Sequence, residues 1–389
     1  MTRILAVFIL LAAAAFILLR YRRSTRQESV TDFAMGTVIS AQVYGEKADD
    51  VAEEIRDCIL ELDEQELSWR ISSSEIGRIN QDLEERNETL ISEDMYGYLF
   101  DSLMICEESG GALDITIHPL IELWGIETDS PRIPTDEELK ACRKQYGYQV
   151  LRLYDVNDIS IEQAGDTIGQ NGIVFGNEDE LSAEARSEIE ESRWRLQVEE
   201  PGVQLDLGAL GKGIAADQVR DLLAGKKSNK EIRGAVVSIG GTILTYGDKP
   251  GMEPWQVGIR NPRGGMSDML GVLSLKGTHV VSTSGDYEQY FEENGIRYHH
   301  ILDPATGYPA DSGLMSVTIV CEDGIYSDGL STACFVLGME DSMALLELYD
   351  AEAIFVTTER KVYVTDGIQE CFQLTDLSYT LCEMDGKGE

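Results

Sequence analysis

Residues 299–307, with the sequence HHILDPATG, constrain the fold of this chain more than any other segment. They place two histidines, an aspartate and a threonine in one turn, which proline and glycine define, between apolar stretches that are typical of strands. A structural explanation is available for each side chain: His300 bonds a backbone carbonyl at a strand end, and Asp303 forms an Asp-Pro turn. The chain has four histidines, however, and two adjacent ones beside a carboxylate also indicate a functional site.

A second unusual segment is 206–213, DLGALGKG, which predicts a strand, a glycine-rich turn and a helix over 214–223. Glycines let a backbone approach a ligand closely, and amides at a helix start can face an anion. Lys212 adds a positive charge. The spacing is neither that of a Walker A loop nor that of a dinucleotide-binding turn. A phosphate site and a plain strand-to-helix connection explain this segment equally well.

The third segment places Asp328 and Thr332 four residues apart, on one face of a helix predicted over 327–337 and ended by Gly338. A carboxylate and a hydroxyl are hard oxygen donors, which Mg²⁺ prefers. Taken alone, the structural explanation is favoured, because an aspartate in a first turn complements the helix dipole and a threonine can be core. Taken together, the three segments predict a metal-assisted phosphate site.

Composition excludes one class of function. The formal net charge is -38, so a nucleic acid would be repelled, and no stripe of lysine or arginine offsets this repulsion. We therefore expect no nucleic-acid partner. The seven cysteines lack CxxC or histidine spacing, which indicates free or buried thiols rather than a zinc site or a disulfide framework.

The N-terminal residues are predicted to form a segment separate from the globular domain. Residues 4–19 are uninterrupted apolar or alanine sequence, flanked by Arg3 and by arginines at 20, 22, 23 and 26. A signal peptide and a single-pass anchor both fit this pattern. We favour an uncleaved membrane anchor, because the small-residue tract 12–15 lies inside the apolar run. The heavier positive flank on the C-terminal side would by itself keep that side cytoplasmic.

Periodicity indicates one α+β domain. The predicted parts are an anchor and linker at 1–29, a globular domain at 30–375, a surface insert at 154–200 and a polar C-terminal tail at 376–389. Predicted strands are 37–44 and 235–239, the second followed by a hairpin turn at 240–242. Predicted helices are 48–67, 92–109, 135–146 with Thr135 as cap, and 287–293 capped by the polar turn 283–287.

These motifs resemble, in order, those of the ApbE-like flavin transferases, the FAD:protein FMN transferases. The resemblance covers about residues 33–338. It rests on the segments MGT at 35–37, SEI at 74–76 with Asn80, GALD at 111–114 followed by Pro119 and LWG at 123–125, DLGALGKG at 206–213, TSGDY at 283–287, HILDPATG at 300–307, and Asp328 with Thr332.

The resemblance implies a magnesium-dependent enzyme that moves the FMN half of FAD onto a threonine hydroxyl of an acceptor flavoprotein and releases AMP. It implies that the metal is held by Asp328, Thr332 and the carbonyl of Ala209. It implies an FAD site made of Met35, Trp69, Ala112, Leu113, Asp114, Asp206, Lys212 and Leu302, with Ser331 beside the metal. Either His300 or Asp303 could remove the proton of the acceptor hydroxyl. His300 is our candidate for this base, because the pKa of histidine suits that role better, and Asp303 is then expected to orient the loop or the substrate.

The chain departs from the family pattern at Trp69, Leu113, Gly211 and Thr242, which bears on flavin affinity and acceptor choice. Two alternatives to the transferase remain: a magnesium-dependent FAD pyrophosphatase that uses water, and a non-catalytic flavin-binding protein at the membrane. Relatives with such N-termini act outside the cytoplasmic membrane. We therefore expect an extracytoplasmic catalytic domain on a single N-terminal anchor, although the arginine flank favours the opposite orientation.

Overall fold

The computed structural model describes residues 26–155, 194–199, 201–265 and 267–384. The predicted anchor at 4–19 and most of the predicted insert lie outside these residues. Across the described ranges, no helix combines the length and the apolar character that a membrane crossing requires.

The helices of the described chain are α1 (Ala48–Leu62), α2 (Glu75–Glu85), α3 (Glu93–Glu108), α4 (His118–Trp124), α5 (Asp136–Cys142), α6 (Gly211–Ser228), α7 (Gly324–Leu337) and α8 (Met339–Leu348). The strands of the first half are β1 (Gln27–Ala34), β2 (Thr37–Gly45), β3 (Glu88–Ile91), β4 (Leu151–Asp155), β5 (Trp194–Val198), β6 (Ile232–Ile239), β7 (Thr242–Gly247) and β8 (Trp255–Arg260). Those of the second half are β9 (Met269–Leu275), β10 (His279–Gly285), β11 (Tyr290–Glu293), β12 (Ile296–His299), β13 (Leu314–Cys321), β14 (Glu352–Thr357), β15 (Lys361–Val364), β16 (Phe372–Leu374) and β17 (Thr380–Cys382).

A nine-stranded sheet with the order β1-β2-β6-β7-β10-β13-β14-β15-β17 organises the molecule. Its neighbours pair antiparallel, except for the parallel pair β15–β17. The central strand β13 is buried along its whole length. Because successive residues of a strand face opposite sides, Ala353 and Phe355 of β14 join one core while Ile354 and Val356 join another.

The two faces of the sheet are covered differently. Helices α1, α6 and α7 bury one face, in the main core that contains Ile55, Ile214 and Leu330. The sheet of β8, β9 and β16 covers the other face, through residues such as Val257 and Leu273. A third cluster joins α4 and α5 to the 299–307 turn. The prediction of one domain of mixed helix and strand is confirmed.

Local sequence signals are confirmed at several helix and strand ends. The Ser92 hydroxyl accepts from the Met95 amide at the start of α3, and Thr135 forms a capping box with Glu138 at the start of α5. The predicted strands at 37–44 and 235–239 are parts of β2 and β6. The 240–242 segment is the tight turn between β6 and β7, which pair antiparallel.

Three predicted helices differ from the structure. The helix predicted over 287–293 is wrong, because β11 pairs with β12 there and Phe291 stacks on Tyr298. The helix predicted over 48–67 is regular only to Leu62 and continues as a π turn, Asp63–Leu67. The helix predicted over 135–146 ends at Cys142. In 287–293, strand pairing and packing against the third cluster outweigh the local preference for helix.

Parts of the predicted insert and tail belong to regular sheets. β4 and β5 pair antiparallel at the two ends of the predicted insert, and β3 pairs with β5 on the other side. In the predicted tail, β17 extends the main sheet beside β15. The Tyr379 hydroxyl in that tail donates to the Asn261 side chain (2.8 Å).

Candidate functional site

The candidate site lies where the N-terminus of α6 crosses the first turn of α7. The two backbones touch at Gly213 and Gly324: a Cβ atom on Gly213 would lie 2.1 Å from the Gly324 carbonyl oxygen. The converse distance, from a Cβ on Gly324 to the Gly213 oxygen, would be 2.2 Å. The sequence left two explanations open for the glycines of 206–213, close approach to a ligand and a plain strand-to-helix connection. For Gly213 the structure shows that a glycine is needed to permit the helix crossing.

The crossing brings Asp328 of α7 to the first amides of α6. Asp328 is buried, and its carboxylate accepts hydrogen bonds from the Gly213 amide (3.0 Å) and from the Thr242 hydroxyl (3.3 Å). The Lys212 ammonium lies 3.7 Å from the same carboxylate. Burial raises the pKa of Asp328, and the nearby Lys212 charge opposes that shift. The predicted proximity of Asp328 and Lys212 is therefore found in the structure.

Hydroxyl groups surround the Asp328 side of α7. The Ser284 hydroxyl, at the end of β10, lies 2.7 Å from the Ser331 hydroxyl and 3.2 Å from the Thr332 hydroxyl. The Ser331 hydroxyl also donates to the Asp328 carbonyl (2.8 Å). On the other side, the Ser282 hydroxyl donates to Thr242 (3.2 Å), which donates to Asp328. These contacts fix the rotamers of the oxygen donors on this helix face.

The glycine turn before α6 presents backbone oxygens near the same point. The Lys212 ammonium donates to the Gly208 carbonyl (3.3 Å), and the Gly208 amide donates to the Asp206 carboxylate (2.7 Å). Ala209 lies in this turn and is partly buried. In the described part of the chain, no group of three or more histidine, cysteine, aspartate or glutamate residues is placed to hold a metal ion. A metal here would depend on one carboxylate, hydroxyls, the turn carbonyls and water.

The two helices cap each other. As Asp328 of α7 faces the N-terminus of α6, Asp217 of α6 accepts from the Gly324 and Ile325 amides at the start of α7 (2.7 and 2.8 Å). An acidic side chain at a helix N-terminus is stabilising. Sequence analysis missed Asp217, because a cap from another helix leaves no local spacing signal.

A second group of residues, which includes the predicted Asp206 and Trp69, lies beside the glycine turn. The Asp206 carboxylate lies 3.3 Å from Nδ1 of His118. The His118 ring in turn meets Trp69 edge-on, with centroids 4.5 Å apart. The Arg70 guanidinium covers a face of Trp69 at 4.3 Å. Sequence analysis missed His118; its position at the start of α4, after the GALD motif, was the available signal.

The GALD motif, residues 111–114, packs against α7. The Asp114 carboxylate accepts from the amide and hydroxyl of Thr116 (2.9 and 2.6 Å) and from the Tyr148 amide (3.1 Å). Burial raises the pKa of Asp114 despite these hydrogen bonds. Leu113 is buried and lies against Gly329 of α7, and Ala112 is partly buried beside it. Asp114 therefore organises the backbone around it.

The residues of the SEI…N motif stabilise α2 and the segment before the glycine turn. The Ser74 hydroxyl accepts from the Gly77 amide and caps α2. The Asn80 side chain exchanges two hydrogen bonds with the backbone of Leu205 (2.9 and 2.8 Å). Together with the bond from the Asp206 amide to the Ile115 carbonyl (2.8 Å), this pairing holds the segment before the glycine turn extended.

The 299–307 turn begins at the end of β12. The His300 Nδ1 atom lies 3.3 Å from the Gln289 carbonyl oxygen, so Nδ1 carries the proton and Nε2 keeps a lone pair. Burial lowers the pKa of His300 to about 4, and the charges of His299 and Lys212 add to this shift. The imidazole is therefore neutral near pH 7 and can accept a proton at Nε2.

Asp303 is occupied by its own turn. Its carboxylate accepts from the Ala305 amide (2.8 Å) and the Thr306 hydroxyl (2.9 Å). Leu302 is buried in the third cluster, where the Trp124 indole donates to the Gly307 carbonyl (2.8 Å). These contacts favour the orienting role for Asp303 over a role in proton transfer.

Lys212, Asp328 and the neighbouring hydroxyls offer a positive charge and hard oxygen donors at one helix N-terminus, and the charge of Lys212 also acts on the neutral imidazole of His300. This combination suits an anionic phosphate ester whose charge must be stabilised during transfer.

The sequence is similar to known flavin transferases along nearly its whole length. An FAD:protein FMN transferase from Treponema pallidum is 31% identical over 372 residues, which is 92% of each chain. One from Haemophilus influenzae is 28% identical and covers 95% of this chain and 97% of its own. These names bear out the prediction of a flavin transferase.

Solved structures give the same result for the fold. The ApbE protein of Thermotoga maritima superimposes with a TM-score of 0.70 at 29% identity, covering 89% of this chain and 99% of its own. The flavinyl transferase ApbE of Pseudomonas stutzeri gives 0.67 at 28% identity, covering 89% and 97%. Because the profile described as the ApbE family also matches residues 35–355, the chain belongs to the ApbE family.

Proposed function

We propose that this chain transfers FMN from FAD to a threonine hydroxyl of an acceptor flavoprotein and releases AMP. The observation that carries the proposal is the pairing of Asp328 with Lys212 (3.7 Å) at the N-terminus of α6, in a chain of this family. Pyrophosphates are commonly bound by a positively charged side chain together with a divalent cation.

The donor set supports Mg²⁺ as the metal. The carboxylate of Asp328, the hydroxyl of Thr332 and the carbonyl of Ala209 are all oxygen donors, and Mg²⁺ commonly keeps water or phosphate oxygens in its remaining positions. Among the described side chains, the Lys212 ammonium, at 3.7 Å, is the one cation that pairs with the buried Asp328 carboxylate. When bound, Mg²⁺ would neutralise charge on the pyrophosphate oxygens.

In this proposal, His300 accepts the proton of the acceptor threonine. Its Nε2 lone pair takes the threonine proton as the threonine oxygen bonds to the FMN phosphorus. The bond from that phosphorus to the bridging oxygen breaks, and the electron pair leaves with AMP. A positioned base contributes roughly 10²–10⁴-fold to such a step. Lys212, whose ammonium also contacts the Gly208 carbonyl, would hold the pyrophosphate in place.

The test is transfer with the full-length chain, FAD, Mg²⁺ and an acceptor that carries an Asp/Ser-x-x-Ala-Thr-type segment. We expect AMP release together with a flavin-sized increase in acceptor mass, and neither product when the acceptor threonine is replaced by alanine. Equal AMP and FMN release with and without the acceptor would instead identify an FAD pyrophosphatase. FAD binding without turnover would leave only a flavin-binding protein.

We also propose that the catalytic domain is extracytoplasmic and that residues 1–29 anchor it to the membrane. The support is the apolar run at 4–19 in the sequence and the location expected from the family. Protease added to intact cells should digest the domain. Protection that lasts until the membrane is breached would contradict this orientation.

A further inference from the structure

The hairpin turn between β1 and β2 has an unfavourable residue at its tip. Ala34 pairs with Thr37, so Met35 and Gly36 form a two-residue loop with φ values of 52° and 70°. Such a loop favours asparagine, aspartate or glycine at its first position. Methionine is strained there because its Cβ crowds the backbone in the left-handed region. The surroundings must therefore stabilise this conformation.

Asp63 supplies the stabilising contact. Its carboxylate accepts a short hydrogen bond from the Met35 amide (2.6 Å) in a partly buried position. A charged acceptor makes this hydrogen bond stronger than a neutral one. Asp63 opens the π turn Asp63–Leu67, which is closed by the bond from the Ser68 amide to the Asp63 carbonyl (3.2 Å). Such π turns are rare and are frequent at functional sites.

With the hairpin turn stabilised by Asp63, the Met35 side chain packs on the start of α6. Its Cε atom lies 3.3 Å from the position that a Cβ on Gly211 would occupy, and Leu67 of the π turn lies 3.8 Å from the same position. Gly211 immediately precedes Lys212. The contact from Asp63 to Met35 therefore connects the π turn to the helix end where we place the pyrophosphate.

We infer that Asp63 is a positioning residue for FAD: it holds Met35 over the first turn of α6 and so sets the affinity for the flavin nucleotide. The inference rests on the proposed function for its ligand. A purely structural Asp63, which only satisfies one amide, would change stability and leave FAD affinity untouched.

The test measures FAD binding and turnover separately. Asp63→Ala should raise the Kd for FAD, followed by flavin fluorescence, about tenfold, as expected for one lost charge-assisted hydrogen bond. The KM for FAD should rise in parallel, while kcat should change less than about twofold, the pattern of lost uniform binding. Asp63→Asn, which keeps an acceptor oxygen, should recover part of the affinity. Asp57→Ala is the matched control, because Asp57 lies on α1 with a side chain that is 64% exposed.

A double variant separates positioning from other effects. If Asp63 acts through Met35, Met35→Gly should weaken FAD binding, and adding Asp63→Ala to it should change Kd less than about twofold. Fully additive losses would overturn the inference. A folded Asp63→Ala protein with wild-type Kd would also overturn it, and Asp63→Asn gives the same decision if the alanine variant does not fold. A wild-type chain that binds FAD without transferring it would refute the proposed function alone, since the Kd comparison needs no turnover.

Discussion

The reciprocal caps between α6 and α7 allow a paired substitution that separates metal binding from helix stability. Asp328→Asn and Asp217→Asn each remove one carboxylate from one helix N-terminus. Asp328 accepts from the Gly213 amide at 3.0 Å. Asp217 accepts from the Gly324 and Ile325 amides at 2.7 and 2.8 Å. The two variants are thus matched in residue type and in the helix-terminal amides that the carboxylate faces, and Asp217→Asn also weakens the ion pair with Arg220 (2.8 Å).

The contacts give the expected magnitudes. Asparagine keeps an acceptor oxygen for the helix amides but removes the negative charge, which is worth up to about 1 kcal/mol of unfolding free energy at a helix N-terminus. Each variant should therefore melt at most a few degrees below wild type. Mg²⁺ at ten times its Kd should stabilise the wild-type protein by about 1.4 kcal/mol. Asp217→Asn should keep this stabilisation and Asp328→Asn should lose it. Release of AMP from FAD should fall at least about 10²-fold in Asp328→Asn, because a metal supplies several kcal/mol to the transition state.

Thermal unfolding with MgCl₂ or with EDTA measures the stabilisation, and chromatography of AMP measures turnover. The assignment of Asp328 as a metal ligand is wrong if Asp328→Asn keeps the Mg²⁺-dependent rise in Tm. It is equally wrong if the folded variant turns over FAD at the wild-type rate. Loss of the Mg²⁺ effect in both variants would instead indicate that helix geometry, rather than the Asp328 carboxylate, controls the metal response.

Three further outcomes are expected. Burial lowers the pKa of His300 to about 4 from 6.5, so the imidazole stays unprotonated to lower pH. As the pH is lowered, kcat/KM should therefore begin to fall near pH 4 rather than near pH 6.5. His300→Gln should abolish this acidic decrease in the pH profile. Gly213→Ala should destabilise strongly, because its Cβ would lie 2.1 Å from a backbone oxygen, whereas Gly225→Ala on the same helix has open space and should gain up to about 1 kcal/mol by denaturant unfolding. Trp124→Phe removes a buried donor and should cost about 1–3 kcal/mol in the same assay.

Elements whose residues carry a local signal could be predicted from the sequence. Strand β2 follows from alternating apolar residues, and the end of α7 at Leu337 follows from Gly338, whose φ is 83°. The helix predicted over 287–293 shows the limit of such signals. Its residues follow a polar turn that resembles a helix cap, yet Phe291 and Tyr298 stack on each other in a hairpin and pack against the third cluster.

The site was predictable in its parts and less so in its assembly. Asp328, Lys212 and His300 stood out by residue type and spacing, and the structure brings Lys212 close to Asp328. The supporting contacts join residues far apart in the chain, such as His118 with Asp206 and Ser284 with Ser331. No local pattern specifies such pairs, because they depend on how the helices and strands pack.

The two caps differ in how their charges are neutralised, and this difference indicates where a cation is needed. The Asp217 carboxylate lies 2.8 Å from the Arg220 guanidinium, and its side chain is 19% exposed. The Asp328 side chain is 7% exposed, and Lys212 lies 3.7 Å away. Burying a carboxylate without a close cation is costly. Capping and the Arg220 ion pair together account for Asp217, whereas the more deeply buried Asp328 has a longer ion pair with Lys212, and a divalent cation at this helix end would neutralise its charge more fully.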